Sequence, residues 1–405
     1  MVTHDPVWFL FLFIGLSVLV IGGLYARGRL ATALTELGAS PRPVRVVRWV
    51  SAWLLFGYPL LVFGSVVTAI ALGSASLPRL DGRVASWLLV IPFIWSVLVV
   101  LQSLPWLVVH DLVSLVVRWR RPAAVAGRWR AIAILGILGG FAVYTPARIL
   151  AERGDLRVRV HRLGRSGTGE PFRIGFVADI QQDVHTDGDR AREVFALLNA
   201  RHPDLILSGG DWINTGPEQI EPAAAAAGTL RSRLGTFSVR GDHEHFAYRD
   251  RERSVREIES AMAGHGVTML ANEVRRFDHH GKRIAVLFLN HNYVHRTPLT
   301  EVATLVASMA PADYKIVVTH QLDAQLAAAL ANQVDLVLGG HTHGGQVNPV
   351  VGLVHVPLAR LETPFVDGRY QLGATTVIVT AGVGYSIVPI RYAAPGSIEL
   401  IEIAL

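Results

Sequence analysis

Five short polar blocks supply most of the reactive side chains in the second half of this 405-residue chain. They are Asp179-Ile-Gln181, Gly-Gly-Asp211, Gly-Asp242-His243-Glu244, Val-Thr-His320-Gln and Gly-Gly-His341-Thr-His343-Gly-Gly-Gln. Carboxylate, amide and imidazole donors in this mixture suit two adjacent divalent cations. Paired cations in turn suit attack of a metal-activated hydroxide on a phosphate ester. The His341-Thr-His343 block is the strongest of the five. Two imidazoles two residues apart point the same way if the segment is extended, and flanking glycines let backbone and metal come close.

Asp211, after two glycines, is suited to bridge both cations, although a lone aspartate in such a place is otherwise a turn or cap residue. Asp179 and Gln181 lie two apart and can face one cation, Gln181 as a neutral and weaker oxygen donor. Asp242 contributes a carboxylate oxygen and His320 an imidazole. His243 is the candidate general acid, placed to protonate a leaving alkoxide. His185, His245, His291 and His295 sit on other polar stretches and can either touch phosphate or be solvated; the sequence singles out none of them.

Each block follows a predicted strand. Short β-branched runs over 172–178, 204–208, 236–240, 283–289, 315–319 and 334–338 alternate with Ala-rich or charged helical stretches over 189–201, 223–227 and 250–264. Further strands are expected over 157–162 as an edge, 274–277, 376–380 and 397–403, with a turn over 165–171. An α/β chain gathers functional side chains beyond the carboxyl ends of its strands. The expected architecture is a two-sheet α/β sandwich with helices outside, spanning 155–405.

The first 150 residues are different. Charged residues make up only 17% of the chain, and the apolar excess is concentrated here in runs over 7–25, 50–72, 84–104 and 131–147. About four membrane-spanning helices are expected, the third followed by Pro105 and the fourth closed by Pro146. No basic n-region precedes the first run and Arg27 and Arg29 follow it, which favours a retained helix over a cleaved leader. His110-Asp111 is either an intramembrane site or an interfacial pair near a helix end. Arg27, Arg29, Arg42, Arg45 and Arg48 follow the first run; Arg118, Arg120, Arg121, Arg128 and Arg130 follow the third. The intervening loop has only Arg79 and Arg83 against Asp81. The positive-inside bias makes the Arg-rich loops cytoplasmic and the 155–405 domain extracytoplasmic, although Arg148, Arg153, Arg157 and Arg159 close after the fourth run pull the other way. With so little charge inside the runs, a transporter is disfavoured. There is no cysteine, so thiolate chemistry and disulfides are excluded. The formal charge of +6 with no interleaved aromatics gives no nucleic-acid face.

In order and wording the five blocks resemble the calcineurin-like metallophosphoesterases, in particular the membrane-associated branch with N-terminal transmembrane helices. The late Ala381-Gly-Val-Gly-Tyr-Ser and Pro389-Ile-Arg391 segments share that resemblance. The resemblance implies one metal on Asp179, Gln181, Asp211 and His343, a second on Asp211, Asp242, His320 and His341, and His243 as acid. It implies two divalent ions, manganese first, with iron or zinc as alternatives. A site borne on membrane helices favours, by its placement alone, phosphodiester or pyrophosphate substrates that are lipid-linked or envelope-derived and met at a lipid bilayer. Gln181 stands where His is usual, and its Asp-Ile-Gln wording is also similar to that of diphosphatases for ADP-ribose and CDP-alcohols. Asp242 stands where Asn is usual. These two departures motivate a rival reading, a metal-binding receptor or scaffold without catalysis.

Overall fold

Apolar alternation in the second half of the chain writes two sheets. Along one strand Phe172, Ile174 and Phe176 face one core, and along another Ile284, Val286 and Phe288 face the same core while Ala285, Leu287 and Leu289 face a second one. That period of two is what a strand covered on both sides requires. A computed structural model describes residues 6–71, 83–118, 123–164, 170–386 and 388–405. The chain divides into two compact units, Met1–Ala151 with Asn348–Val356, and Glu152–Val347 with Pro357–Leu405.

The first unit holds four long helices, α1 (Pro6–Glu36), α2 (Pro41–Ala71), α3 (Ile91–Arg118) and α4 (Ala123–Glu152). Among the described residues three helical stretches are long and apolar enough to cross a membrane: Pro41–Ala69, Ser86–Val116 and Gly127–Glu152. The first expected span lies within α1, whose side chains from 6 to 14 are outside the described ones. The helices outrun the expected spans. Pro105 and Pro146 lie inside α3 and α4 and end neither, which corrects the expectation that Pro146 closes the fourth run. Apolar surroundings tolerate proline because neighbouring groups take up the freed backbone carbonyl.

Polar side chains join these helices. Trp95 Nε1 donates to the Ala142 carbonyl at 3.0 Å, and Gln102 Nε2 to Thr145 Oγ1 at 3.0 Å. Asp111 accepts from Tyr25 Oη at 2.5 Å, pairs with Arg29, and lies 3.2 Å from His110 Nδ1. The His110-Asp111 pair is therefore about two turns inside α3 and is tied to α1. Of the loop charges read above, Arg79, Asp81, Arg120 and Arg121 lie outside the described residues, as does 165–169 of the expected turn.

In the second unit, one six-stranded sheet has β1 (Leu156–Gly164), β2 (Phe172–Val177), β3 (Leu205–Ser208), β4 (Thr236–Ser238), β5 (Val267–Met269) and β14 (Gly396–Ala404), in the order β1-β14-β2-β3-β4-β5. The other has β6 (Glu273–His279), β7 (Lys282–Leu289), β8 (Tyr314–Thr319), β9 (Leu336–Gly339), β12 (Gly368–Leu372) and β13 (Thr375–Val379), in the order β12-β13-β9-β8-β7-β6. Their facing sides share one core of Phe172, Phe176, Leu207, Val286, Phe288, Val318, Leu338 and Ile401. Each such fully buried side chain contributes about 1.5–3 kcal/mol.

Helices α5 (Gly188–Asn199), α6 (Ile220–Ala227) and α7 (Arg251–Gly264) cover the first sheet, and α8 (Leu299–Ser308) and α9 (Ala324–Leu330) cover the second. Asp187, Asp250 and Asp323 cap α5, α7 and α9 by accepting backbone N–H bonds. Gly175 admits α5 closely, since a Cβ there would stand 2.8 Å from Leu198. The two-sheet sandwich is the expected one. β1 is at an edge, as its alternation implied, while β5 and β12 had no clear sequence signal.

Candidate metal centre

The strands β2, β3, β4, β8 and β9 end together, and the five polar blocks follow them. The turns that receive them are unusual. Asp179, Gln181, Asp211, His341 and His343 all have positive φ, between 51° and 74°. Left-handed backbone at non-glycine residues is costly and collects at functional sites. It also corrects one expectation: His341 and His343 are not on an extended segment. His343 opens a tight helical turn, His343–Gly345, so the two imidazoles serve different parts of the cluster.

His341 Nδ1 lies 3.0 Å from Asp242 Oδ2 and 3.2 Å from His320 Nε2, and His320 Nε2 is 3.3 Å from Asp242 Oδ2. His320 Nε2 is also 3.5 Å from Asp211 Oδ2, which accepts from Gln181 Nε2 at 2.7 Å. His343 Nε2 faces Asp179 Oδ1 at 3.9 Å, and His243 Nε2 faces Asp211 Oδ2 at 3.9 Å. All eight side chains singled out in the sequence are thus brought together. Two subsets, Asp179–Asp211–His320 and Asp242–His320–His341, have donor atoms close enough to share an ion.

Outer contacts fix these donors. His320 Nδ1–H donates to the Gly209 carbonyl at 2.8 Å and leaves Nε2 to the cluster. His341 Nε2 is held by Glu362 at 2.9 Å and leaves Nδ1 inward. The His341 backbone N–H donates to Asp179 Oδ2 at 2.9 Å. Glu244 accepts three backbone N–H bonds, from Asp211, Trp212 and Gly241, and so ties two strand ends together. His243 Nδ1–H donates to the Asn214 carbonyl at 2.5 Å. Arg391, fully buried, donates to the carbonyls of His343, Ala394, Ala381 and Gly384 at 2.9–3.0 Å and clasps two loops. Gly241 cannot carry a side chain, because a Cβ there would be 2.1 Å from Asp211 Oδ1.

The electrostatics ask for positive charge. Burial, with the Asp211 carboxylate nearby, raises Asp179 to about 6. Burial also disfavours charge on Asp242, yet hydrogen bonds from His320 and His341 outweigh it and hold that carboxyl well below its usual range. Burial opposes protonation of His341 too, but Asp242 and Glu362 lift it to about 9, and Asp211 and Asp242 raise His320 as well. The protons so retained stand where divalent cations would neutralise the same carboxylates. His343 moves the other way, kept neutral by burial and by the Arg391 charge. A neutral imidazole is the ligand form. Gln181 Oε1 and His343 Nδ1 are buried without a hydrogen-bond partner. An unpartnered amide oxygen and ring nitrogen on side chains among buried carboxylates suit a divalent cation, and the residues present fit a two-metal group.

The other histidines fall elsewhere. His291 Nε2 pairs with Asp323 at 3.4 Å. His245 is buried with Nε2 unpaired and is held down to about 4 by burial and by Arg240. Sequence reading missed Glu362, Arg391 as a loop clasp, and Tyr293, whose backbone N–H donates to Asp242 Oδ1 at 2.6 Å. Glu244 and Arg391 each lay inside a quoted segment, whereas Glu362 and Tyr293 had no signal.

Comparison with known proteins agrees with the resemblance read from the blocks. Residues 172–345 match the family model of calcineurin-like phosphoesterases. A "transmembrane protein with metallophosphoesterase domain" from Bos taurus is 29% identical over 284 residues, 67% of this chain and 60% of that one. An uncharacterized metallophosphoesterase from Campylobacter jejuni is 26% identical over 246 residues, 57% of this chain and 59% of that one. The chain thus spans about three fifths of the length of these relatives. Among solved structures, Haemophilus influenzae NAD nucleotidase has a TM-score of 0.38 at 12% identity, over 52% of this chain and 45% of that one.

Proposed function

We propose that this chain, whose residues 172–345 match the family model of calcineurin-like phosphoesterases, is a membrane-anchored, metal-dependent phosphoester hydrolase acting on phosphodiester or pyrophosphate bonds. The observation that carries the reading is the meeting of Asp179, Gln181, Asp211, Asp242, His320, His341 and His343, with two buried, unpartnered polar atoms among them. Asp179, Gln181, Asp211 and His343 would hold one cation, and Asp211, Asp242, His320 and His341 the other. Two bound divalent cations, manganese first among the choices, would supply Lewis acidity to the phosphoryl group and to water.

The chain's own residues do the rest. Asp211 spans the two halves of the cluster. His243, oriented by its bond to the Asn214 carbonyl, turns Nε2 inward, where it delivers a proton to the leaving alkoxide. Glu244, Glu362 and Arg391 hold the donors in place. The Arg-rich loops argue for several membrane crossings with the phosphoesterase unit outside the cytoplasm. That placement favours lipid-linked or envelope-derived substrates over the ADP-ribose and CDP-alcohol alternative suggested by Gln181.

The test is hydrolysis of bis-p-nitrophenyl phosphate by detergent-purified protein. Turnover should require added manganese and vanish in Asp211→Ala. No turnover by manganese-, iron- or zinc-loaded protein, with metal still bound in stoichiometric amount, would favour the scaffold reading.

A further inference from the structure

Between the His343 turn and Glu362 the chain makes an excursion that the metal centre does not use. β10 (Val350–Val351) and β11 (Val354–His355) pair antiparallel as a two-stranded sheet separate from both larger ones. Gly352, at φ 67°, makes the turn and presents Leu353 at its tip, 87% exposed. Val354 is 64% exposed, and Leu358 and Leu361 follow at 56% and 52%. Beyond residue 155, six of the twelve described large apolar side chains that are exposed fall between Val351 and Leu361. Within the hairpin, Val351, Leu353, Val354 and Val356 are exposed among six consecutive residues, unlike the single scattered residues normal on a water-facing surface. A lone two-stranded hairpin is marginal in water and needs a third layer.

The fold indicates what that layer is. Residues Asn348–Val356 group with the long apolar helices and not with the sandwich from which they emerge. Within that unit β10 lies beside α3, one of the helices apolar enough to span a membrane. His355, exposed in the hairpin, adds a basic group of the kind that meets anionic headgroups.

We propose that the 350–356 hairpin is a membrane foot, an apolar tip seated in the interfacial zone of the bilayer. The occupant of the patch is lipid. Leu353 is ten residues from His343 and nine from Glu362, so short arms of chain join the foot to residues of the metal centre. Resting on the phosphoesterase reading, this narrows the substrate class to phosphate esters carried at the membrane surface. The foot itself does not depend on that reading.

The absence of cysteine makes the test direct. Leu353→Cys and, as a control, Glu252→Cys, whose native side chain is 90% exposed, are each labelled with bimane in the full-length protein. The labelled proteins are reconstituted in nanodiscs with or without lipids brominated near the glycerol. The Leu353→Cys label should be quenched by brominated lipid and be about threefold less sensitive to aqueous iodide than the control, as interfacial burial demands. Equal iodide quenching at both positions, with no effect of bromolipid, would overturn the proposal. So would protection from iodide without bromolipid quenching, which would mean that a protein partner covers the patch. Neither readout uses hydrolysis, so loss of catalysis leaves the result interpretable.

Discussion

Asp242→Asn is the most informative single change at the metal centre, because the structure says why an aspartate is needed there. Oδ1 accepts the Tyr293 backbone N–H at 2.6 Å, and Oδ2 faces His341 Nδ1 at 3.0 Å and His320 Nε2 at 3.3 Å. Both oxygens must therefore accept. Asparagine has only one acceptor atom. With its oxygen turned to the proposed cation position, beside His320 and His341, its NH2 meets the Tyr293 N–H head-on, and the buried clash of donors costs about 1–3 kcal/mol. With its oxygen turned to Tyr293, the NH2 faces that position and a ligand is lost. Either way metal affinity should fall by roughly 5- to 150-fold, with a further loss from the missing charge. Calorimetric titration of the chelator-stripped protein with manganese measures this. Affinity within about twofold of the parent, with two ions still bound, would refute the reasoning.

Three other outcomes are expected. Gly241→Ala should lower hydrolysis sharply without unfolding the protein, since its Cβ would stand 2.1 Å from Asp211 Oδ1 and displace that carboxylate; circular dichroism alongside the rate separates the two effects, and an unchanged rate would contradict the packing. Glu362→Gln keeps the shape but weakens the hold on His341 Nε2, so metal affinity should drop about 10- to 100-fold, the usual cost of an outer ligand partner; competition with a fluorescent chelator reads it. His245→Gln should flatten the acid side of the stability profile. The folded state holds His245 down to about 4 while the unfolded chain titrates near 6.5, so the unfolded state binds the extra proton and stability falls as pH drops through that window. The full shift corresponds to about 3 kcal/mol, and partial solvent access reduces it to about 2 kcal/mol. Thermal unfolding of parent and variant at several pH values between those limits tests it, and parallel curves would be the contrary result.

The polar blocks were readable because strand, glycine and ligand types sit next to one another in sequence, and the strands that deliver them have an apolar period of two. What could not be read was main-chain geometry. Nothing in the identity of Asp179, Gln181 or His341 announces a left-handed backbone, and the extended reading of His341-Thr-His343 failed for that reason. Glu362 lies 21 residues beyond His341 with no motif of its own, and the Tyr293 contribution is a backbone N–H that any residue could supply. That donor also weakens the case that Asp242 marks lost catalysis, because it gives the second carboxylate oxygen a task. In the helical unit, the rule that proline closes a helix is learned in water and fails at Pro146, where α4 continues to Glu152; α3 likewise runs on past Pro105.

His341 belongs to both halves of the centre, its ring beside Asp242 and its amide on Asp179. Filling either half therefore sets the posture of a residue the other half needs. Occupancy should rise more steeply with free metal than independent sites would allow, and a singly loaded species should be scarce at every concentration.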